Sequence, residues 1–221
     1  CESNCRRANV DEAIAIKDLK RSAADYEIDK GLRPAPAGAE ETGRKVAIVG
    51  AGPAGLSCGY YLALAGHRPT IFEKLPEPGG MAAVGIPDFR LPRQILRREV
   101  DIVREAGVEI RYGVEVGKEV TIGDLRREYD AVFIGVGAQD SMPMGVDGEE
   151  KGYRGFIPGV RYLLDISQGR DPYPEGKKVV VVGGGNVAID CVRSSFRIGK
   201  EDVNLVYRRT IKEMPADPVE I

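Results

Sequence analysis

Gly50-Ala-Gly52-Pro-Ala-Gly55 stands directly after an apolar run, Val46-Ala-Ile-Val49, and opens a stretch rich in Ala and Leu, Gly55–Ala65. A GxGxxG pattern between a strand and a helix constrains the fold strongly, because each glycine has its own mechanical reason. Gly50 allows the tight turn, Gly52 lets a diphosphate approach the backbone, and Gly55 lets the helix pack close to the strand. The free N–H groups and positive end of the helix then face the phosphates. The next strand, Thr70-Ile-Phe72, ends in Glu73, 21 residues after Gly52. A carboxylate at that place accepts hydrogen bonds from both ribose hydroxyls and repels a 2′-phosphate.

The pattern returns from Gly50 to Gly183, 133 residues downstream, as Val179-Val-Val-Val-Gly183-Gly-Gly185-Asn-Val-Ala188, a GxGxxA. Its second strand, Val203–Tyr207, ends in Arg208-Arg209, with no acid where the first unit has Glu73. Arginine suits a 2′-phosphate through charge-assisted contacts, whereas an acid suits an unphosphorylated ribose. The residues therefore point to two dinucleotides, FAD on the first unit and NADPH on the second. Arg208 and Arg209 can equally be a solvated basic pair, which leaves NADH open.

Between and around these units strands alternate with helices. A charged amphipathic helix is expected over Leu91–Ala106, strands over Val108–Tyr112 and Ala131–Val136, and a helix from the second glycine turn to about Gly199. Residues 140–176, rich in Gly and Pro, read as irregular. Such alternation implies an α/β chain with parallel sheets covered on both faces, here as two Rossmann-like dinucleotide-binding domains. Ahead of them a helix is expected from about Asp11 to Asp29, with Ile16, Leu19 and Ala23 on one face, and then a linker over Gly31–Gly38. The expected organisation is 1–43 for the helical segment and linker, 44–150 for the first part of the FAD-binding domain, and 151–221 for the NAD(P)H-binding domain. The chain begins with Cys1 rather than Met and stops at Pro218-Val-Glu-Ile221 inside an unfinished α/β pattern, so truncation at both ends is expected.

Composition narrows the classes further. With 32 Lys and Arg against 34 Asp and Glu, the net charge of −2 provides no basic field for nucleic acid. Apolar runs such as Val179–Val182 fall far short of the roughly 20 residues that cross a bilayer, so no membrane insertion is expected. Four Cys in 221 residues make no disulfide framework and suggest a reducing, cytoplasmic setting. The single His67, in the Gly66-His-Arg turn, reads as a surface group with no acid–base duty, and one histidine cannot make a two-His metal site, so hydrolase chemistry is not expected. Cys58 and Cys191, in the helices that follow the glycine turns, read as core thiols. Cys1 and Cys5 form a CxxxC that, taken alone, fits free thiols or metal ligands.

Beyond these motifs, Cys1-Glu-Ser-Asn-Cys5, Val10-Asp-Glu-Ala-Ile14 and Leu19-Lys-Arg21 resemble the cysteine-rich N-terminal region of the glutamate synthase small subunit family. That family includes the flavin half of dihydropyrimidine dehydrogenase and the NADPH-binding subunit of bifurcating transhydrogenases. Gly85-Ile-Pro-Asp-Phe-Arg-Leu-Pro92 and Val206-Tyr-Arg-Arg209 with Met214-Pro-Ala216 are similar to further motifs of the family, and the resemblance covers essentially the whole chain. It implies that Gly50, Gly52, Pro53, Ala54 and Gly55 line the FAD diphosphate and that Glu73 and Lys74 hold the adenosine ribose. Gly79, Gly80, Met81 and Arg90 are implied on the flavin side, and Val116 near the adenine. Gly184, Gly185, Asn186 and Val187 are implied at the NADPH phosphates, with Arg208 and Arg209 at the 2′-phosphate. Cys1 and Cys5 are implied as two ligands of a [4Fe–4S] cluster, whose remaining ligands lie outside this segment.

The expected activity is that of an NAD(P)H-dependent FAD and iron–sulfur oxidoreductase. Hydride passes from NADPH to FAD, and electrons then pass through [4Fe–4S] clusters to a partner subunit or a ferredoxin, within a hetero-oligomer. No side chain is expected to act as a catalytic acid or base, because the protein's task is positioning and tuning. A disulfide reductase of the thioredoxin reductase type shares the paired-domain plan, but it needs a redox cysteine pair beside the flavin, and no CxxC or CxxxxC lies in or between the two units. A third reading is a structural subunit with a non-working nucleotide site.

Overall fold

The computed structural model of the chain describes residues 2–32 and 38–221. The chain divides into two compact units, Cys1–Pro36 and Ala37–Ile221. In the first, two 3-10 turns, Glu2–Asn4 and Arg6–Asn9, precede helix α1 (Ile16–Asp29). The helix begins five residues later than the sequence pattern suggests, because its cap comes from outside the helix: the Glu2 carboxylate accepts the Lys17 N–H at 2.8 Å. None of its side chains is buried. The expected linker falls largely on residues 33–37, outside the described residues.

The second unit runs β1 (Lys45–Val49), α2 (Pro53–Leu64), β2 (Arg68–Glu73), α3 (Met81–Val84), α4 (Arg93–Glu105), β3 (Glu109–Tyr112), α5 (Ile122–Glu128) and β4 (Ala131–Ile134). It continues with α6 (Gly159–Ser167), β5 (Lys178–Val182), α7 (Asn186–Arg197) and β6 (Asp202–Val206). The first four strands form one parallel sheet in the order β3-β2-β1-β4, with Ile48 opposite Ile71 and Ile71 opposite Ile110. Alternate residues of β1 face opposite sides, as the period of two requires. Val46 and Ile48 pack with Leu56 and Ala63 of α2 and Val100 of α4, while Ala47 and Val49 pack with Phe72 and Leu125 of α5. Both faces of this sheet's centre are therefore covered, as a near-continuous apolar strand demands.

The second sheet holds β5 and β6, paired in parallel from Lys178 opposite Asp202 to Val182 opposite Val206. Here the expectation of two covered faces is corrected: α6 and α7 pack around Tyr162, Leu163 and Cys191, but Val180 and Val182 stay exposed. The expectation that 140–176 is irregular is corrected too, since α6 lies inside it. Its glycine and proline content sits at the flanks, with Pro158 at the N-cap, and leaves Tyr162 and Leu163 free to bury. Among the described residues, no helix is long and apolar enough to cross a membrane.

Candidate functional site

The strand order of the first sheet reverses at β1: the chain moves from β1 to β2 and β3 on one side and returns to β4 on the other. In open parallel sheets, ligands bind in the crevice outside the carboxyl ends of the strands at such a switch point. The first glycine turn is there. The Gly50 N–H donates to the Phe72 carbonyl at 2.8 Å, and the Gly135 N–H, just after β4, donates to the Val49 carbonyl at 2.8 Å. α2 starts at Pro53 with Gly52 as its N-cap, and no side chain caps it, so the N–H groups of its first turn stay available. Pro53 and Ala54 at that turn are exposed, and Gly55 is buried. A Cβ on Gly55 would stand 1.9 Å from the Gly50 carbonyl oxygen, so only glycine lets the helix approach the turn.

A second loop closes on the first. The Gly79 N–H donates to the Ala51 carbonyl at 2.7 Å, and Gly80 takes φ +51°, where a Cβ would meet the Gly52 Cα at 2.8 Å. Met81 follows as the first residue of α3, half-buried. Glu73, 5% exposed, ends β2 beside these loops. Its carboxylate accepts the Ala51 N–H at 2.7 Å on one oxygen and the Leu75 N–H at 2.8 Å on the other. Lys74 beside it is exposed, and Val116, half-buried, packs against the Ala47, Val49 and Phe72 cluster. Gly50, Gly52, Pro53, Ala54, Gly55, Glu73, Gly79, Gly80 and Met81 thus belong to one ring of backbone at the end of β1 and β2.

The second glycine turn has the same construction. The Gly183 N–H donates to the Val206 carbonyl at 2.9 Å, and Gly185 is the uncapped N-cap of α7. The Tyr207 ring takes the space beside Gly184. Asn186 and Val187 open α7 on the exposed side. A hollow of about 780 Å³ runs along β5 and is lined by Gly183, Gly185, Asn186 and Val187 among others. The segment after β6 crosses this turn: the Ala216 N–H donates to the Gly184 carbonyl at 3.1 Å and the Asp217 N–H to the Asn186 Oδ1 at 2.9 Å. Arg208 and Arg209 are exposed just past β6, and neither makes an ion pair among the described residues.

Arg90 lies in the loop between α3 and α4, and its guanidinium reaches α7 in the second nucleotide unit. Nη1 is 2.8 Å from Asp190 Oδ2 and Nε is 3.2 Å from Glu220 Oε1. Sequence reasoning passed over Asp190 and Glu220. The signal for Asp190 was an acid inside an otherwise apolar run, Val187-Ala-Ile-Asp-Cys-Val192, where burial makes an isolated charge costly. Burial indeed pushes the Asp190 carboxyl up, against the lowering effect of the hydrogen bond from Arg90.

The thiols fall into two kinds. Burial raises Cys191 to about 12 and also pushes Cys58 up; the two sit in separate cores, on α7 and α2. They form no redox pair. Cys5 is half-buried at the start of the second 3-10 turn, and a backbone hydrogen bond from Ile14 holds its thiol below the usual range. Cys1 lies outside the described residues, and no group of three or more metal-binding side chains occurs among the described ones. His67, half-buried at the end of the sheet opposite the glycine turns, has Nδ1 2.7 Å from Thr42 Oγ1.

A sequence profile described as pyridine nucleotide-disulphide oxidoreductase matches residues 44–218. The NADP(+)-dependent formate dehydrogenase subunit beta of Moorella thermoacetica is 52% identical over 242 residues, covering 100% of this chain and 34% of that protein. The glutamate synthase (NADPH) small chain of Escherichia coli strain K12 is 39% identical over 229 residues, covering 100% of this chain and 48% of that protein. Among solved structures, Mycobacterium tuberculosis FprA in complex with NADPH superimposes with a TM-score of 0.65 at 25% identity, over 80% of this chain and 46% of that one. The chain thus spans between a third and a half of the length of these two relatives. The likeness to the glutamate synthase small subunit group, expected from the sequence, is met along the whole chain.

Proposed function

The chain belongs to the pyridine nucleotide-disulphide oxidoreductase family, and from that premise we propose that it is the electron-input part of an NADPH-dependent flavin oxidoreductase. One observation carries the reading: two uncapped helix N-termini, each behind a glycine turn, are followed by opposite ribose chemistry, a buried Glu73 at the first and free Arg208 and Arg209 at the second. We assign 1–43 to the iron–sulfur helical segment and linker, 44–150 to FAD and 151–221 to NAD(P)H.

The residues at the first turn fit FAD. Gly50, Gly52, Pro53, Ala54 and Gly55 offer the N–H groups of α2 to a diphosphate, and Gly79, Gly80 and Met81 close the cradle where side chains would obstruct it. Glu73 uses one acceptor site of each oxygen on backbone and retains others for ribose hydroxyls, with Lys74 and Val116 at the adenosine end. Arg90 stands on the flavin side. At the second turn Gly184, Gly185, Asn186 and Val187 receive the phosphates of NADPH, and Arg208 and Arg209 its 2′-phosphate. Cys5, whose thiol is held below its usual range by backbone hydrogen bonds, the largest from Ile14, and Cys1 serve as two of four [4Fe–4S] ligands.

The bound nucleotides supply the redox chemistry, a hydride passing from nicotinamide to flavin and single electrons leaving through iron–sulfur clusters to a partner subunit or ferredoxin. This chain's side chains bind, orient and exclude water; none has to carry a proton. A disulfide-reducing role is disfavoured by the separation of Cys58 from Cys191. The test is an anaerobic absorbance titration of the full-length protein with NADPH and with NADH, following the flavin band near about 450 nm. NADPH is expected to bleach it at a lower concentration than NADH. Replacing both arginines (Arg208→Ala with Arg209→Ala) is expected to raise the NADPH requirement roughly tenfold or more and to leave that for NADH unchanged, since charge-assisted contacts contribute about 1.5–3 kcal/mol each. Bound flavin that neither nucleotide bleaches would overturn the reading.

A further inference from the structure

Arg90 and its partners join the two nucleotide-binding parts at one point. The loop carrying it begins after α3, directly behind the Gly79–Gly80 cradle, and ends where Asp88 Oδ1 accepts the Arg93 N–H at 2.8 Å and starts α4. Two neighbouring side chains of this loop grip α7. Phe89 lies beneath two guanidinium groups, with Arg193 4.7 Å and Arg197 3.7 Å from the ring centroid. Arg90 pairs with Asp190 one turn earlier on the same helix. Asp190, Arg193 and Arg197 are spaced three and four apart, so a single face of α7 receives the loop.

Glu220 makes the cluster a bridge. One of its oxygens pairs with Arg90 and the other with Arg193. It stands at the far end of the segment that crosses the second glycine turn, held there by the Ala216 and Asp217 amides. The same five residues of chain, Ala216–Glu220, therefore touch the turn that would receive the NADPH phosphates and the arginine on the flavin side. Nothing in this cluster is cheap to keep. The Asp190 side chain is 4% exposed, and its Oδ1 has no hydrogen-bond partner among the described residues. A buried ion pair of this kind adds little net stability over an apolar pair of the same shape, whereas removing one partner is strongly destabilising. Its usefulness is a defined arrangement of the two parts.

Resting on the reading of hydride delivery from one site to the other, we infer that Asp190 and Glu220 are positioning residues. They hold Arg90 across the junction and so set the orientation of the NADPH-carrying unit against the FAD-carrying unit. Both acids spend their carboxylates on arginines. Their work is to fix a geometry in which a displacement of about 1 Å costs a large factor in rate.

The experiment uses the full-length protein with its cofactors, as wild type, Asp190→Asn and Glu220→Gln, in anaerobic stopped flow against NADPH. Both variants are expected to lower the saturating rate of flavin bleaching by roughly tenfold, with FAD content unchanged and half-saturation within about twofold. Independently of activity, amide hydrogen exchange in 85–92 is expected to rise in both variants while β1 and β2 keep wild-type protection. Glu220→Gln, at a less buried position, keeps the test valid if Asp190→Asn fails to fold. Wild-type rates and wild-type exchange in Glu220→Gln would overturn the proposal, as would losses that appear only as weaker NADPH binding or lost FAD. A wild-type protein whose flavin NADPH does not bleach would overturn the functional reading itself, and this inference with it.

Discussion

The carboxylate of Glu73 combines two duties in one group. Two of its roughly four acceptor sites take the N–H groups of Ala51 and Leu75, which ties the first glycine turn to the end of β2. The others are left for a ligand. Glutamine has nearly the same shape but offers one oxygen, and its NH2 would face a backbone donor. Glu73→Gln is therefore expected to leave one buried amide unpaired, at a cost of about 1–3 kcal/mol in urea unfolding of the FAD-free protein. FAD affinity is expected to fall roughly tenfold or more in equilibrium titration, because a charged acceptor for the ribose hydroxyls is lost as well. Unchanged affinity would mean that the ribose contacts another group. Its distance from Gly52 marks Glu73 in the sequence as a candidate ribose acceptor, whereas its two backbone partners are tertiary and carry no sequence signature.

At the scale of elements, the legible parts were those whose pattern and turn chemistry agree. β1, α2 and β2 follow from an apolar run, a glycine turn and a second apolar run, and β5, α7 and β6 repeat that logic. α5 was missed although Thr121 and Asp124 form a capping box at its start, a signal that four charges in a seven-residue helix obscured. α6 was missed because glycine and proline density was averaged over a long window. Beside the burial of Tyr162 and Leu163 against α7, one contribution to α6 is local and pH-dependent. Burial raises the Asp165 carboxyl, but hydrogen bonds from Arg170 and Arg161 outweigh it and hold the group below its usual value. A depressed folded pKa contributes stability above the unfolded value of about 3.9 and loses it as pH falls through the lower folded value. Asp165→Asn is therefore expected to be less stable than wild type by about 1 kcal/mol at pH 7, the half-exposed arginines limiting the gain. The two proteins are expected to converge in urea unfolding as the pH drops below about 4. A constant difference across that range would place the effect in packing rather than in charge.

For the molecule as a whole, the two nucleotide turns are each anchored on a strand, yet they are joined through side chains a hundred residues apart in sequence, Arg90 and Asp190. Periodicity finds the turns because it is local; it cannot find a contact that exists only once both units are folded. The first turn also draws on residues from β1, β2, the loop before α3 and the end of β4. A ligand seated there makes contacts that only the folded sheet provides, so binding and global stability are linked. FAD at about a hundred times its dissociation constant is expected to add about 2.7 kcal/mol. For a unit of this size that corresponds to a rise of about 5–10 °C in the unfolding midpoint of the FAD-depleted full-length protein. In Glu73→Gln at the same FAD concentration the rise is expected to shrink by about 1.4 kcal/mol for each tenfold loss of affinity, which separates a ligand contact from a purely structural one. If FAD raised the midpoint equally in both proteins, Glu73 would serve the turn alone, and the ribose would have to be held by groups elsewhere in the ring of backbone around it.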